Sequence, residues 1–504
     1  MNGMRTISGR EWGAIALILC LALGLRLFKA DTSLWYDEIF TLINFVRLPT
    51  ADLVVSYDSL NNHMLYSLAA QAAIAIFGEN PMALRLPAIL LGVASIFVQW
   101  RISRRFTGAV PSLMVALLLA ISYHHVWFSQ NARGYTGLLF FTSWATLLFI
   151  KGLEKPSWKT WTGYGVLVAA AMYMHMSAGF FFVAHGVVYA GMFVSRWLRR
   201  SETGETRWPG ILTFGPVYGV ALSIFVTLLL YAPIIGQAMR TIGEVSEASA
   251  AVKGETLAQW RNPLRAVQEI GASISSAGPL VPVILIGAVL VLVAGIIALY
   301  RRAPVLTAIY VLHVPLAMTL LYATGVRIWP RYFFVDLGFI MMALVEGVIG
   351  WSGFLASKVA FRGKPMASAQ WFTHLGYVGM VAVSIVLLVP NYVHPKQDFV
   401  GARDYVRKFA RPGDSIATVG LAGYAYREYY APDFTIVETG EELERLRKRT
   451  KGSTWLIMAF PGQTVDARPD VFAELESHFD EMDDIYGTLG GGIIWTYRSK
   501  ENDR

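Results

Sequence analysis

A chain of 504 residues that is 55% hydrophobic and 15% charged, with mean hydropathy +0.46, is too apolar for an ordinary soluble protein. Its net charge of +8 comes from Lys and Arg clustered between apolar runs, with no basic tail and no nucleic-acid motif, which argues against a nucleic-acid partner. Cys20 is the only cysteine and lies inside the first apolar run, which excludes an intrachain disulfide or a cysteine-built metal site.

Arg5 and Arg10 precede that first run, Trp12 to Phe28. It ends in Leu25-Arg26-Leu27-Phe28-Lys29 with no small-residue cleavage site, so it reads as an uncleaved helix rather than a signal peptide. With Arg5 and Arg10 cytoplasmic, the helix ends outside and delivers Trp35-Tyr36-Asp37-Glu38 there. Ionisable groups at a membrane boundary are costly unless solvated or paired, and point to a functional site. A solvated loop with an interfacial Trp/Tyr belt has the same composition.

The short apolar stretch from His63-Met64 to Phe77 is closed by Gly78 and Pro81. If it spanned, the Arg101, Arg104, Arg105 cluster would land outside, so it is expected to lie in the outer interface. The spans then alternate. Met82 to Trp100 runs inward, Val110 to Trp127 outward, and Gly134 to Ile150 inward. Trp161 to Tyr173 runs outward, Ala178 to Val194 inward, and Ile211 to Tyr231 outward to a long polar loop, 233–276. Pro279 to Leu299, Val305 to Ala323, Tyr332 to Trp351 and Phe372 to Val389 complete about eleven spans, each inner loop being basic. The expectation is a polytopic α-helical membrane protein, N-terminus inside and C-terminus outside. Residues 1–392 form the transmembrane domain, with outer loops 30–81 and 233–276.

After Pro390 the composition changes, and residues 393–504 alternate short helices and strands. Helices are expected at Arg403 to Ala410, Ala422 to Tyr430, Glu441 to Arg449 and Pro469 to Phe479. Strands are expected at Ser415 to Val419, Thr435 to Val437, Thr454 to Phe460 and Ile493 to Tyr497. This pattern predicts a small α/β layered domain. Gly490-Gly491-Gly492 precedes a strand with no helix after it, so it reads as a hairpin turn, not a phosphate cradle. No catalytic constellation is evident in this domain.

Polar clusters recur at the outer helix ends. They are Tyr123-His124-His125 through Ser129-Gln130-Asn131-Ala132-Arg133-Gly134-Tyr135, then Tyr173-Met174-His175, then Arg327-Ile328-Trp329-Pro330-Arg331-Tyr332 with Asp336 beyond. Arg133, Arg327 and Arg331 fit interfacial anchors that snorkel to headgroups. Topology bias should nonetheless remove arginines from outer ends, and three beside aromatics favour a functional role. His124 and His125 are adjacent on a helix and point apart, which favours interfacial hydrogen bonding over a metal pair. His175 and His185 read as helix-packing residues. Trp35 and Tyr36 fit either a belt or a sugar-stacking platform.

A carboxylate on this face can remove a proton from an attacking hydroxyl, and guanidinium groups can clamp a phosphate as ligand and leaving group. A site at the boundary admits a lipid tail while its head group stays in water. Those requirements match sugar transfer from a lipid-linked phosphosugar, and the chain carries no P-loop or nucleotide fingerprint.

The sequence resembles the integral-membrane GT-C glycosyltransferases of the protein O-mannosyltransferase and aminoarabinose-transferase superfamily. The residues that carry the likeness are Trp35-Tyr36-Asp37-Glu38, Asn62-His63-Met64-Leu65-Tyr66, Leu84-Arg85-Leu86-Pro87, Ser129 to Tyr135 and Pro330-Arg331-Tyr332. The resemblance covers roughly the first 390 residues. It implies a polyprenyl-phosphate sugar donor used on the outer face with inversion at the anomeric carbon. It makes Asp37 the base with Glu38 in support, and puts Arg133, Tyr135 and Arg331 near the donor phosphate. Trp35, Tyr36, His63, His125 and Arg327 are candidate substrate contacts. The family's His-Pro-Pro element is His63-Met64-Leu65 here, without the prolines. Relatives differ in their use of a divalent cation, so the cofactor stays open. The acceptor is a glycan, a lipid or a protein, and the location implied is a bacterial inner membrane with the C-terminal domain in the periplasm.

Two rival readings remain. A transporter or lipid-linked sugar flippase needs polar groups near the midplane and commonly repeated halves, whereas these ionisable residues gather on one face. A non-catalytic scaffold would present the C-terminal domain and tolerate substitution of the Asp37 loop.

Overall fold

The computed structural model describes residues 6–198, 207–251, 281–323, 328–359, 365–490 and 492–500. Every apolar run read as a span folds as a helix. In order the helices are α1 (Gly9–Leu27), the six-residue α2 (Tyr36–Thr41), α3 (Met64–Phe77), α4 (Pro81–Phe106), α5 (Ala109–Ile121) and α6 (Tyr123–Ser129). Then come α7 (Tyr135–Glu154), α8 (Trp158–Met174), α9 (Ala178–Leu198), α10 (Gly215–Tyr231) and α11 (Ile235–Ala251). After them follow α12 (Val281–Arg302), α13 (Pro304–Ala323), α14 (Leu337–Val359) and α15 (Pro365–Leu388).

Among the described residues seven helices are long and apolar enough to cross a membrane, or nine if each of two bent pairs is one span. The pairs are α5–α6, bent by 57°, and α10–α11, bent by 90°. The chain is a multi-pass membrane protein. Of the eleven expected spans, α1 misses this count through the charges of Arg10, Glu11 and Arg26, and α8 through its 17 residues. The stretch 233–276 begins not as loop but as α11, whose start packs Ile234 and Ala238 against Tyr57 and Tyr231. Its remainder from residue 252 lies outside the described residues.

The charges of α1 are absorbed by neighbours. Ser8 and Glu11 form a capping box at its start, and Glu11 pairs with Arg104 at 2.8 Å. Arg105 in turn pairs with Glu154. The ends of α4 and α7 therefore lie beside the start of α1, the parity expected if α3 does not span.

Chain contacts divide the molecule into two compact units. The first holds Met1–Phe28, Pro49–Ala70 and Arg85–Leu387. Its core packs Trp100, Ile96, Leu119, Phe149, Trp161 and Phe181. The second holds Lys29–Leu48, Gln71–Leu84 and Leu388–Arg504.

The second unit contains the α/β domain. Its order is α16 (Phe399–Phe409), β1 (Ser415–Val419), α17 (Leu421–Ala425), β2 (Thr435–Val437), α18 (Gly440–Arg449) and β3 (Thr454–Ala459). Then follow α19 (Pro461–Ala467), α20 (Pro469–His478), β4 (Phe479–Ile485) and β5 (Ile494–Ser499). The sheet order is β2-β1-β3-β5-β4, with β1 parallel to β2 and β3, and β5 antiparallel to β3 and β4. Apolar residues of β1 and β3 pack under Leu443, Val471 and Leu475. β4 escaped the sequence reading because it is an edge strand, Phe-Asp-Glu-Met-Asp-Asp-Ile, with only Phe479 buried. The glycine run falls in the connection between antiparallel β4 and β5, residue 491 lying outside the described residues.

Candidate functional site

The acidic pair sits at the start of α2, in the second unit. Trp35 has extended backbone ahead of the helix, and its N–H donates to Glu38 Oε2 at 3.3 Å. Glu38 is fully buried and completes its helix's first turn from the side-chain end. Successive helical residues are rotated by about 100°, so the neighbouring Asp37 faces another way. Asp37 is half-buried. The two adjacent carboxylates thus divide in direction, Glu38 turned back to the start of its own helix and Asp37 away from it. Beside them burial, with the charge of Asp37 and the ring of Tyr424, pushes the Tyr36 phenol up to about 12.

The cationic residues gather in the first unit. Arg133 stands in the tight turn between α6 and α7, and its Nη2 donates to Asn61 Oδ1 at 2.9 Å. The same Nη2 lies 3.0 Å from His63 Nε2, while His63 Nδ1 accepts from the Gly134 N–H at 3.1 Å. Both neighbours of that ring are donors, and a neutral imidazole has one acceptor nitrogen. Only one of the two contacts is therefore a full hydrogen bond, and Asn61 is the firm anchor of the guanidinium. The Arg133 guanidinium also lies over Tyr135, 5.5 Å from the ring centre.

His175, expected to serve in packing, closes the cluster. Its ring is 4.4 Å from that of His63 and 4.9 Å from that of Tyr135, and it meets Tyr332 at 6.4 Å. Burial first, and then the charges of Arg133 and Arg331, hold both imidazoles neutral. His63 lies well below the ordinary histidine value and His175 falls to about 3. Asn61 and His63 are neutral groups, and these two contacts orient the Arg133 guanidinium. Gly134 makes the approach possible, because a Cβ there would lie 2.5 Å from Met174 O and 2.7 Å from His63 Nδ1.

Arg331 reaches the cluster from a 3-10 turn, Pro330–Asp336, with its guanidinium 4.4 Å from the ring centre of Trp329. The far end of that turn is pinned. Both oxygens of Asp336 lie 3.0 Å from His313 Nδ1 of α13, and both side chains are buried. That pair fixes the segment carrying Arg331 and Tyr332.

His125 lies elsewhere. It is fully buried, with Nδ1 2.8 Å from Arg26 Nη2 and Nε2 3.0 Å from Ser95 Oγ. Arg26 donates further to Ser129 Oγ and to the carbonyls of Ala22, Leu119 and Ala120. This network joins α1, α4, α5 and α6 and has the geometry of a packing device. His124 is exposed, so the two adjacent histidines do face apart. His185 bonds Thr146 and Tyr164 inside the bundle. Arg327 lies outside the described residues. Among the described residues no three His, Cys, Asp or Glu side chains meet as metal ligands would.

Asn61 is a member the sequence reading does not name, and His175 one to which it gives a packing role. Asn61 stands beside the Asn62-His63 element, and His175 ends a helix next to a turn, so both had a positional signal.

Residues 63–231 match the family of dolichyl-phosphate-mannose-protein mannosyltransferases. That segment opens on His63 and contains Arg133, Tyr135 and His175. No curated protein matches the chain in sequence. Among solved structures it is similar to ArnT from Cupriavidus metallidurans bound to undecaprenyl phosphate, at 12% identity and TM-score 0.50, over 98% of this chain and 99% of that one. It is also similar to the archaeal oligosaccharyltransferase AglB from Archaeoglobus fulgidus, in complex with an inhibitory peptide and a dolichol-phosphate. That match has 12% identity and TM-score 0.53, over 98% of this chain and 75% of that one. The fold is that of the GT-C membrane glycosyltransferases, and the resemblance read from the sequence is borne out.

Proposed function

We propose that the protein moves a sugar from a polyprenyl-phosphate carrier to an acceptor hydroxyl at the periplasmic face of a bacterial inner membrane, with inversion, in envelope glycan or glycoprotein synthesis. The observation that carries the reading is the grouping of Arg133 with His63, His175 and Tyr135, met by Tyr332 from the turn that carries Arg331. Guanidinium groups receive a phosphate and stabilise it as it leaves. ArnT and AglB are described with undecaprenyl phosphate and dolichol-phosphate respectively, which supports a lipid phosphate as the ligand.

In this reading Asp37 removes the acceptor's proton as its oxygen attacks the anomeric carbon, and Glu38 holds the turn that presents Asp37. Arg133 and Arg331 take the departing lipid phosphate, Tyr135 backs Arg133, and His63 keeps the Arg133 turn in place. Trp35 and Tyr36 flank the base, and the sugar moved is a hexose or a pentose. Mass analysis of cell-envelope glycans and glycoproteins with and without the protein tests the proposal. A sugar addition that vanishes with the protein supports it, and identical profiles contradict it.

A further inference from the structure

The α/β domain has the strand order at which open α/β sheets form a binding crevice. Adjacent β1 and β3 are parallel, and the chain leaves β1 for β2 on one side and returns from β2 to β3 on the other. Such a reversal of strand order opens a crevice beyond the carboxyl ends of the two strands, where open α/β sheets bind their ligands. The exit from β1 is Gly420, with φ +62, leading into α17. The exit from β3 is Phe460, with φ +51, leading into α19. A left-handed conformation is free for glycine and rare for a phenylalanine, so the ring of Phe460 is retained there against its backbone preference.

The group against both exits is Tyr36, one residue before Asp37 and in the same compact unit. Its ring centre lies 5.9 Å from that of Tyr424 in α17 and 6.3 Å from that of Phe460, edge-on in each case. Further ties run along the same segment. The Tyr36 N–H donates to Gln397 Oε1 at 3.3 Å, and the Tyr430 hydroxyl to Leu34 O at 2.8 Å. Lys29 Nζ donates to Tyr392 O at 2.7 Å. Phe40 packs on Tyr424 at 5.6 Å, and Asn44 Nδ2 donates to the Tyr424 hydroxyl.

We propose that this crevice takes the protein's own Tyr36 in place of a diffusible ligand, and that Tyr424 and Phe460 are thereby positioning residues for the Asp37 carboxylate. The consequence for catalysis rests on the reading of Asp37 as the base. The α/β domain is then the mount of the acidic segment.

Hydrogen exchange on the full chain in lipid nanodiscs tests it, comparing wild type with Tyr424→Ala, Tyr424→Phe and Phe460→Gly. Tyr424→Ala and Phe460→Gly should speed exchange over residues 36–46 by about tenfold or more, with strands 415–419 and 454–459 still protected. Tyr424→Phe keeps the ring and should stay near wild type. If Tyr424→Ala also exposes the strands, Phe460→Gly decides, because it removes backbone strain together with the ring. Wild-type exchange over 36–46 in both variants would overturn the crevice assignment. Variants that loosen this segment yet keep full sugar transfer would overturn the positioning role alone. The base assignment is tested separately by Asp37→Asn.

Discussion

The acidic segment and the cationic cluster are built by opposite means. Asp37 is half-buried on a helix of six residues, held by aromatic edges and one buried carboxylate that completes the turn. Arg133 is 3% exposed, and its guanidinium is oriented by an amide oxygen and a neutral imidazole. In the proposed function the contrast follows the chemistry assigned to each group. A base must meet an acceptor arriving from water, so exposure serves it. A phosphate clamp gains strength from desolvation, because charge-assisted hydrogen bonds are worth more in a low dielectric. The two regions should therefore fail differently when changed.

The largest expected effect is on the acidic side. Asp37→Asn keeps the shape and removes the base, so transfer should fall by about 10²- to 10⁴-fold while the protein still folds in membranes. Retained full transfer, measured by product mass, would rule out the assignment. Arg133→Ala and Arg331→Ala should each lower transfer by about 10²- to 10³-fold, the scale for losing one stabiliser of developing charge. Unlike Asp37→Asn, they should also weaken binding of undecaprenyl phosphate. If binding by both variants equals wild type, the phosphate lies elsewhere.

Gly134→Ala sharpens the comparison without touching a charge. Its methyl would collide with Met174 O and His63 Nδ1, both close to the Arg133 turn. The expected result is a loss of about 1–3 kcal/mol in stability, the usual range for overpacking, with weaker lipid-phosphate binding. An unchanged melting temperature would show that the turn has room.

The remaining effect is in pH. The folded protein keeps His175 neutral down to about 3 and His63 neutral well below the ordinary value, whereas the unfolded chain protonates both near 6.5. Between those limits the unfolded state binds more protons, so stability rises with pH and is lost as pH falls. Each imidazole contributes up to about 1.4 kcal/mol per pH unit in that window. The melting temperature should drop from pH 7 to pH 5, and His175→Gln should flatten that slope. Equal slopes in variant and wild type would contradict the buried neutral assignment.

Much of this was legible in the sequence, for identifiable reasons. Apolar runs of membrane length announce themselves, and Arg101, Arg104 and Arg105 are the reason α3 is read as not spanning, a parity with which the Glu11–Arg104 pair is consistent. Asp37, Glu38, Arg133 and Arg331 stood out because charge is rare beside such runs. What the sequence withheld was juxtaposition. His63 and Arg133 are 70 positions apart in the chain, and nothing local says that Gly134 lends its N–H to that imidazole. His125 reads from the sequence as a substrate contact and His175 as a packing residue, yet His125 closes a network with Arg26 and His175 meets His63. Strand β4 was hidden because an edge strand need bury only one face, and its acids read as loop. The start of the 233–276 stretch was read as loop from its polarity, although an Ala-rich polar segment is also a good helix former.

The division of labour between the two regions is the claim on which the rest stands. Its most direct measurement is native mass spectrometry of Asp37→Asn and Arg133→Ala in nanodiscs supplied with undecaprenyl phosphate. The account predicts lipid-phosphate binding at wild-type level in Asp37→Asn and reduced binding in Arg133→Ala. Loss of binding in Asp37→Asn with binding intact in Arg133→Ala would contradict it.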